Sequence, residues 1–281
     1  MELRGVVKGM EKIQNVSTLS ITFMTISIFL SIAVPIGIII WMAVKKMLNA
    51  KATFFGALLF IVFVVILENI MHVLVLGKDP AQSAIYKSPV LYLIYSGFAA
   101  GIFEEVARLL GFKFLIRVEE GESLSTGISY GIGHGGCEAV LMGGFVSISY
   151  LTTSVLINGG QLGSMTAAMN EQQLENFNQG IQLITGSPSS VFLFLGIERL
   201  IALVLQVALS LLVFKAVTDK KWQYFTVAIL IHAGIRMLQV LGQRGYIISN
   251  VYLMDGILLL VTIISIVAAF RVNKRVNMKR V

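Results

Sequence analysis

The sequence predicts an all-α protein, a polytopic transmembrane helical bundle with about seven spans, the N-terminus outside and the C-terminus inside. Its 281 residues are 56% hydrophobic and 13% charged, with a mean hydropathy of +0.84, whereas a soluble domain has about 25% charged residues. The apolar runs are about 20 residues long, as a spanning helix requires, and do not alternate like the strands of a membrane barrel. Because the bilayer core holds no water for the backbone, each run is expected to be a helix.

Seven apolar runs are long enough to span a membrane, and no internal repeat or low-complexity tract divides the chain. We therefore expect residues 1–281 to form a single transmembrane domain. In chain order, the predicted spans are residues 18–44, 52–76, 89–114, 124–149, 189–217, 223–243 and 246–270.

The connections between spans predict the orientation, because Lys and Arg accumulate on the cytoplasmic side. With the C-terminus inside, the inner connections KKMLNAK, KFLIRVEEGES and KAVTDKKWQ, together with the tail of residues 271–281, hold 13 of the 22 Lys and Arg residues. The connection of residues 150–187 holds none, so we expect it outside, as a structural loop with short amphipathic helices or as a substrate lid. This distribution accounts for the net charge of +7 without a nucleic-acid partner, although the tail could also bind lipid headgroups.

Charged and histidine side chains lie within six of the predicted spans. A charge at the bilayer centre costs at least about 2.5–3.5 kcal/mol, so such residues face the protein interior and mark a functional site or a buried pair. All three histidines of the protein are in this set. Its members are Glu68, His72, Glu104, Glu105, Arg108, His134, Glu138, Glu198, Arg199, His232, Arg236 and Asp255.

The run GIFEEVARLLGFKFL contains Glu104 and Glu105, four and three residues before Arg108. On a helix, Arg108 can contact either carboxylate. An ion pair that only allows the span to insert would need a single glutamate. The doublet favours a division of roles, in which Arg108 holds one glutamate ionised and the other, in a drier place, acts as a general base.

The run YGIGHGGCEAV places His134 and Glu138 four residues apart, on one helix face. Nitrogen and oxygen ligands at this spacing suit Zn²⁺, and a hydrogen bond between the two side chains at a glycine-rich helix crossing explains the pair equally well.

The run ILIHAGIRML repeats the spacing with His232 and Arg236. In the predicted orientation, with about 1.5 Å of rise per residue, Glu104, His134 and His232 lie at depths that agree within one or two turns. We expect the three helix faces to converge in a cavity in the cytoplasmic half of the bilayer.

The other intramembrane charges have weaker interpretations. Glu68 and His72 are interpreted as a structural pair nearer the external end of the second span. Glu198 could join the cavity, and Arg199 could pair with Glu198 or with another glutamate. Asp255 is expected to contact a neighbouring helix.

Three motifs carry a family resemblance. EEVAR, then Tyr130-x-x-x-His134, then His232-x-x-x-Arg236 resemble, in that order, the signature of the membrane-embedded glutamate proteases, which include the type II CAAX prenyl endopeptidases, the CPBP proteins and PrsW. The HGGCE arrangement and the seven-span layout most resemble the YhfC-type branch of bacterial membrane peptidases. Two positions depart from the signature. Arg108 follows the doublet by three positions rather than four, and Arg236 replaces Asn or Asp, where it could donate to an oxyanion but would repel a metal cation.

The residues and the resemblance together predict a protease of the bacterial cytoplasmic membrane that hydrolyses membrane-embedded or membrane-proximal peptides. One glutamate of the doublet would activate a water, and the two histidines of the motifs would position that water and stabilise the oxyanion, directly or through Zn²⁺. Glu138 would be a third ligand or would orient His134. The predicted catalytic residues are Glu104, Glu105, Arg108, His134 and His232, and the predicted metal ligands are His134, Glu138 and His232.

Two other functions use the same residues. A transporter or channel could use the intramembrane acids and histidines as a proton or cation relay, but such proteins often show inverted repeats and broken helices. Here Pro35 is the only proline well inside a predicted span. A non-catalytic scaffold or immunity-type binding protein could also share the fold, since fold alone does not establish catalysis.

Overall fold

The computed structural model describes residues 15–118, 122–166, 169–244 and 250–277. These residues are mostly helical, and the described part of the chain contains no β-strand. The predicted basic tail falls partly within this part, because the last helix continues through Asn277. The rest of that tail, 278–281, and the basic N-terminal segment, 1–14, lie outside the described residues.

Within the described residues, seven helices are long and apolar enough to cross a membrane, which confirms the predicted fold class. The predicted orientation is not tested by these helices and stays a prediction. We label only the described helices of ten or more residues. They are α1 (Thr18–Val44), α2 (Ala50–Leu76), α3 (Pro89–Ile116), α4 (Leu124–Asn158), α5 (Glu171–Gly186), α6 (Ser189–Thr218), α7 (Gln223–Gln243) and α8 (Val251–Asn277). Helix α5 is not a candidate span.

Polar side chains fix where several helices begin. The side chains of Ser17, Asn49 and Ser88 accept hydrogen bonds from backbone N–H groups of the first turns of α1, α2 and α3. Helix α5 begins with a reciprocal capping box between Asn170 and Gln173. These caps satisfy N–H groups that have no partner within the helix.

Helix α4 is longer than the sequence predicts, since it continues to Asn158 rather than ending near residue 149. The extension carries hydroxyl side chains. Ser154 Oγ donates to the Tyr150 carbonyl one turn earlier, at 2.7 Å, so this hydroxyl is satisfied inside the helix. The expected amphipathic helix of the following connection is α5, which buries Ile181 and Ile184.

Four of the candidate spans contain a π-helical segment, in which the helix is locally wider. The segment in α3 (Gly111–Ile116) begins just after Arg108, and the segment in α4 (Ala139–Gly144) begins directly after Glu138. The other two are Phe29–Ala33 in α1 and Ile61–Glu68 in α2. Such segments are frequent at functional sites.

The chain divides into two compact units. One consists of the described parts of 1–33 and 140–199. Its buried apolar core is Val16, Met24, Ile157, Leu162, Ile181, Ile184 and Phe192. The other consists of the described parts of 34–139 and 200–281, and its core includes Ala107, Phe112, Tyr130 and Leu209. The expectation of a single transmembrane domain stays a prediction.

Large apolar side chains on the spans are widely exposed, which is consistent with contact with lipid rather than water. Leu74 is 79% and Val44 is 74% exposed. Since lipid tails are as apolar as these side chains, helix association in a bilayer depends on close packing and interhelical hydrogen bonds rather than on a hydrophobic driving force. The candidate site shows both.

Candidate active site

Helix α3 carries two glutamates and an arginine that form one buried ion pair network. Arg108 Nη1 donates to Glu105 Oε1 at 2.6 Å, and Arg108 Nη2 lies 3.5 Å from Glu104 Oε2. Arg108 and Glu105 are completely buried, and Glu104 is 7% exposed. The sequence predicted that Arg108 can contact either carboxylate, and in the structure Arg108 contacts both.

Helix α4 supplies His134, which is completely buried. Its Nε2 lies 2.9 Å from Glu104 Oε2. The imidazole ring also packs edge-on against Phe60 of α2, with the ring centroids 5.0 Å apart. Because an ionised carboxylate only accepts hydrogen bonds, a bond with Glu104 requires the Nε2–H form of His134. In that form Nδ1 is a buried acceptor, and it has no hydrogen-bond partner among the described residues.

Helix α7 supplies His232, which lies between the two glutamates. Its Nε2 is 3.2 Å from Glu104 Oε1, and its Nδ1 is 3.0 Å from Glu105 Oε1. Two ionised carboxylates can only accept, so His232 donates from both nitrogens or one carboxyl group carries a shared proton. The histidine therefore links the doublet in the same way as Arg108, from a different helix.

We call Glu104, Glu105, Arg108, His134 and His232 the glutamate–histidine cluster. The structure brings together all five residues that the sequence predicted as catalytic, from three helices. Ionised glutamates would place two negative charges beside one guanidinium, and protonation of one histidine would offset the remaining charge. A carboxylate acceptor beside imidazole donors is the combination that general acid–base catalysis uses.

Glycines set the distances between the helices that carry the cluster. A Cβ atom on Gly133 of α4 would collide with the carbonyl oxygen of Thr53 on α2, and one on Gly135 would lie 2.8 Å from Gln206 Cβ on α6. On α3, a Cβ atom on Gly101 would lie 2.9 Å from the Ile229 carbonyl oxygen of α7. Only glycine allows these backbones to approach so closely.

Gln206 of α6 is a polar residue of the site that the sequence analysis missed. Its Oε1 accepts a hydrogen bond from Arg108 Nη2. Its Nε2 donates to Glu104 Oε2 at 3.1 Å and to Glu138 Oε2 at 2.5 Å. Since the guanidinium can only donate, the orientation of the amide is fixed, and Gln206 connects Glu138 to the cluster.

Ser210, one turn after Gln206, accepts a hydrogen bond from Arg108 Nε at 3.2 Å. The two residues are four apart in the otherwise apolar run LIALVLQVALSLLVF. An uncharged polar pair at this spacing marks one face of an apolar helix. That pattern was the available signal, and a search limited to charged residues and histidines does not find it.

The fit of a metal ion depends on the donor atoms around Glu104. Imidazole nitrogen and carboxylate oxygen are donors that zinc prefers. Within the part of the chain that the structure describes, the buried Nδ1 of His134 and Oε2 of Glu105 have no hydrogen-bond partner. The donor types therefore match zinc. Among the described residues, however, no three His, Cys, Asp or Glu side chains are grouped as ligands of one ion. The contacts of the cluster are hydrogen bonds and ion pairs.

Several of the remaining intramembrane residues lie in other contacts. His72 Nε2 is 3.4 Å from Glu68 Oε1, and His72 Nδ1 is 2.7 Å from the hydroxyl of Tyr95. Arg199 Nη2 pairs with Glu198 Oε1 at 2.5 Å. Asp255 is buried.

Comparisons with known proteins identify the family of the chain. The model of the YhfC intramembrane metalloprotease family matches residues 30–258. The chain is also 34% identical to the uncharacterized membrane protein YhfC of Bacillus subtilis (strain 168), over 95% of this chain and 99% of that protein. No solved structure matches the chain.

Proposed function

Because the chain belongs to the YhfC intramembrane metalloprotease family, we propose that this multi-pass membrane protein hydrolyses peptide bonds of membrane-embedded or membrane-proximal substrates. One observation carries the proposal. Both oxygens of Glu104 contact an imidazole from a separate helix, His134 Nε2 at 2.9 Å and His232 Nε2 at 3.2 Å. A structural ion pair with Arg108 would require neither histidine.

Glu104 is the general base in this proposal. It is the glutamate that both histidines contact, and it is 7% exposed whereas Glu105 is completely buried. Glu104 accepts a proton from water as the water oxygen bonds to the scissile carbonyl carbon. The same proton then passes to the peptide nitrogen as the carbon–nitrogen bond breaks, which leaves a carboxylic acid and an amine and returns Glu104 to its carboxylate form.

The histidines stabilise the negative charge that develops on the carbonyl oxygen. Each has an N–H that faces Glu104 in the resting arrangement and can turn toward an oxyanion when Glu104 takes up its proton. Glu105 and Gln206 position the reacting groups. Glu105 accepts a hydrogen bond from Arg108 and lies 3.0 Å from His232 Nδ1, and Gln206 donates to the Glu104 oxygen that contacts His134.

A zinc ion bound by the two histidines, with Glu138 or a glutamate of the doublet, would supply Lewis acidity to the scissile carbonyl and lower the pKa of a bound water. Metal analysis of the purified full-length protein tests this hypothesis. We expect one zinc per chain in the wild type and none in His134→Ala. The zinc site would be contradicted if the wild type contained no zinc or if His134→Ala retained it. The remaining mechanism would then be hydrolysis with Glu104 as general base and no metal.

The proposed location is the bacterial cytoplasmic membrane, with the N-terminus outside and the C-terminus inside. The Bacillus subtilis relative is described as a membrane protein, and the basic connections favour this orientation. In that orientation the cluster lies in the cytoplasmic half of the bilayer, where the substrate would be a membrane peptide or protein.

Comparative membrane proteomics tests the protease activity. Cells that lack the natural gene would express the wild type, Glu104→Gln, Glu105→Gln or the control Glu68→Gln. We expect Glu104→Gln to slow cleavage at least about 100-fold, as for loss of a general base, so uncleaved substrates accumulate. Glu68→Gln should process like the wild type. Equal processing by all four, at equal membrane levels, would exclude the proposed hydrolysis.

A further inference from the structure

The C-terminal half of α7 carries a polar stripe, which we define as His232, Arg236, Gln239 and Gln243. Spacings of four, three and four residues keep these side chains on one helix face. Exposure increases along the stripe, since His232 is buried, Arg236 and Gln239 are half-buried and Gln243 is exposed. The stripe therefore leads from the glutamate–histidine cluster to the end of α7.

This stripe lies away from the exposed apolar face of α7. Val227, Leu230 and Gly234 are exposed and mark the side that lipid would contact. At about 100° per residue, Arg236 is rotated roughly 160° from Gly234 around the helix. A lipid headgroup on that face is therefore poorly placed to pair with Arg236.

Arg236 differs from three arginines of the candidate spans and their ends that have partners. Arg108 contacts two glutamates, Arg199 pairs with Glu198, and the guanidinium of Arg244 lies 3.9 and 4.0 Å from the ring centroids of Tyr86 and Tyr92. Within the described residues, Arg236 makes no hydrogen bond, ion pair or ring contact. Since an unpaired charge at membrane depth is costly, we expect its partner to come from outside the described residues, and a bound substrate can supply one.

We propose that Arg236 binds a carboxylate of the peptide substrate, one helical turn from the cluster. The planar guanidinium can donate two parallel hydrogen bonds to a carboxylate. Four residues of helix rise about 6 Å, which corresponds to about two residues of extended peptide. The site then accepts peptides whose scissile bond lies about two residues from a C-terminal carboxylate or an Asp or Glu side chain. This inference rests on the proposed function, which makes the bound peptide a substrate.

A binding assay with three fluorescein-labelled peptides tests the proposal. The probes share one apolar sequence of about 20 residues and end in a free carboxylate, in an amide, or in an amide preceded by one Asp. Binding to the full-length protein in lipid nanodiscs is measured by fluorescence anisotropy. We expect at least one carboxylate peptide to bind the wild type about tenfold or more tightly than the neutral amide, and which one does so identifies the source of the carboxylate.

Variants separate a role of Arg236 from a general charge effect. Arg236→Gln should bind all three peptides equally. Arg236→Lys should retain part of the preference for the carboxylate peptides. The lysine variant tests the proposal if the glutamine variant does not fold. The control Arg271→Gln, which changes an exposed arginine of α8, should keep the full preference.

The proposal would be overturned if the wild type bound the three peptides equally or not at all, or if Arg236→Gln kept the preference. Phosphatidylglycerol retained by the wild type but lost in Arg236→Gln, without a peptide preference, would assign the arginine to lipid. Because binding is measured rather than cleavage, failure here is distinguishable from failure of Glu104→Gln to stop hydrolysis.

Discussion

Two polar clusters in the same unit combine glutamate and histidine but differ in burial and in the number of helices that they connect. The first is the glutamate–histidine cluster. The second, which we call the Tyr95 cluster, consists of Glu68, Met71 and His72 of α2 and Tyr95 of α3. The His72 side chain is 31% exposed, whereas that of His134 is completely buried.

The difference between the clusters lies in their contacts rather than in their residue types. In the Tyr95 cluster, Glu68 and His72 both lie on α2, and the hydroxyl of Tyr95 joins them to α3. In the glutamate–histidine cluster, members from α3, α4 and α7 meet around Glu104, and Gln206 of α6 contacts the same carboxylate. A buried network shared by several helices is worth more than its separate pairs, and it costs more when one member is removed. The expected effects of mutations follow this difference.

Removal of the shared cation should have the largest effect on stability. Arg108→Met leaves Glu104 and Glu105 buried without their guanidinium, and we expect the free energy of unfolding to fall by about 3–5 kcal/mol. Denaturant titration of the purified protein in detergent measures the loss. As a control, Glu68→Gln in the partly exposed cluster should change stability by less than about 1 kcal/mol. Equal losses in the two variants would remove the distinction between the clusters.

Removal of the bridging amide should have an intermediate effect. Gln206→Ala takes one donor from Glu104 and Glu138 and one acceptor from Arg108, so we expect a loss of about 1–3 kcal/mol with slower substrate cleavage. The same titration and proteomic comparison apply. Gln243→Ala, at an exposed position of α7, is the matched control and should be neutral. If Gln206→Ala changed neither stability nor substrate cleavage, the cluster would not depend on its contact with α6.

The smallest effect is expected in the Tyr95 cluster. Tyr95→Phe removes the hydroxyl that contacts His72 and Met71, and we expect a loss of about 0.5–1.5 kcal/mol, with unchanged cleavage in the proteomic assay. Substrate accumulation in this variant, at normal membrane levels, would extend the functional site to the second cluster.

The fold class could be predicted because it depends on quantities that the sequence states directly. The length of the apolar runs and the scarcity of charge predicted seven spans, and seven candidate spans are found in the described residues. The end of α4 could not be predicted in this way, since hydropathy counts Ser154 as polar and takes no account of its bond to the Tyr150 carbonyl.

The site was predictable as far as charge identified its members. The cost of intramembrane charge pointed to Glu104, Glu105, Arg108, His134 and His232, and equal depth predicted that they meet. Gln206 carries no charge, so that argument omitted it. The contact between Glu138 and Gln206 also depends on which faces of α4 and α6 are adjacent, and spacing along one helix holds no information about a neighbouring helix.

The glycines of α4 have a genetic consequence. Every amino-acid change that a single nucleotide substitution can make in a glycine codon introduces a Cβ atom. At Gly133 that atom would meet the Thr53 carbonyl, and at Gly131 it would lie 2.6 Å from Val207 Cα. Intolerance to mutation should therefore extend beyond the charged residues to positions with no side chain, where any missense change separates the helices that hold the histidine in place.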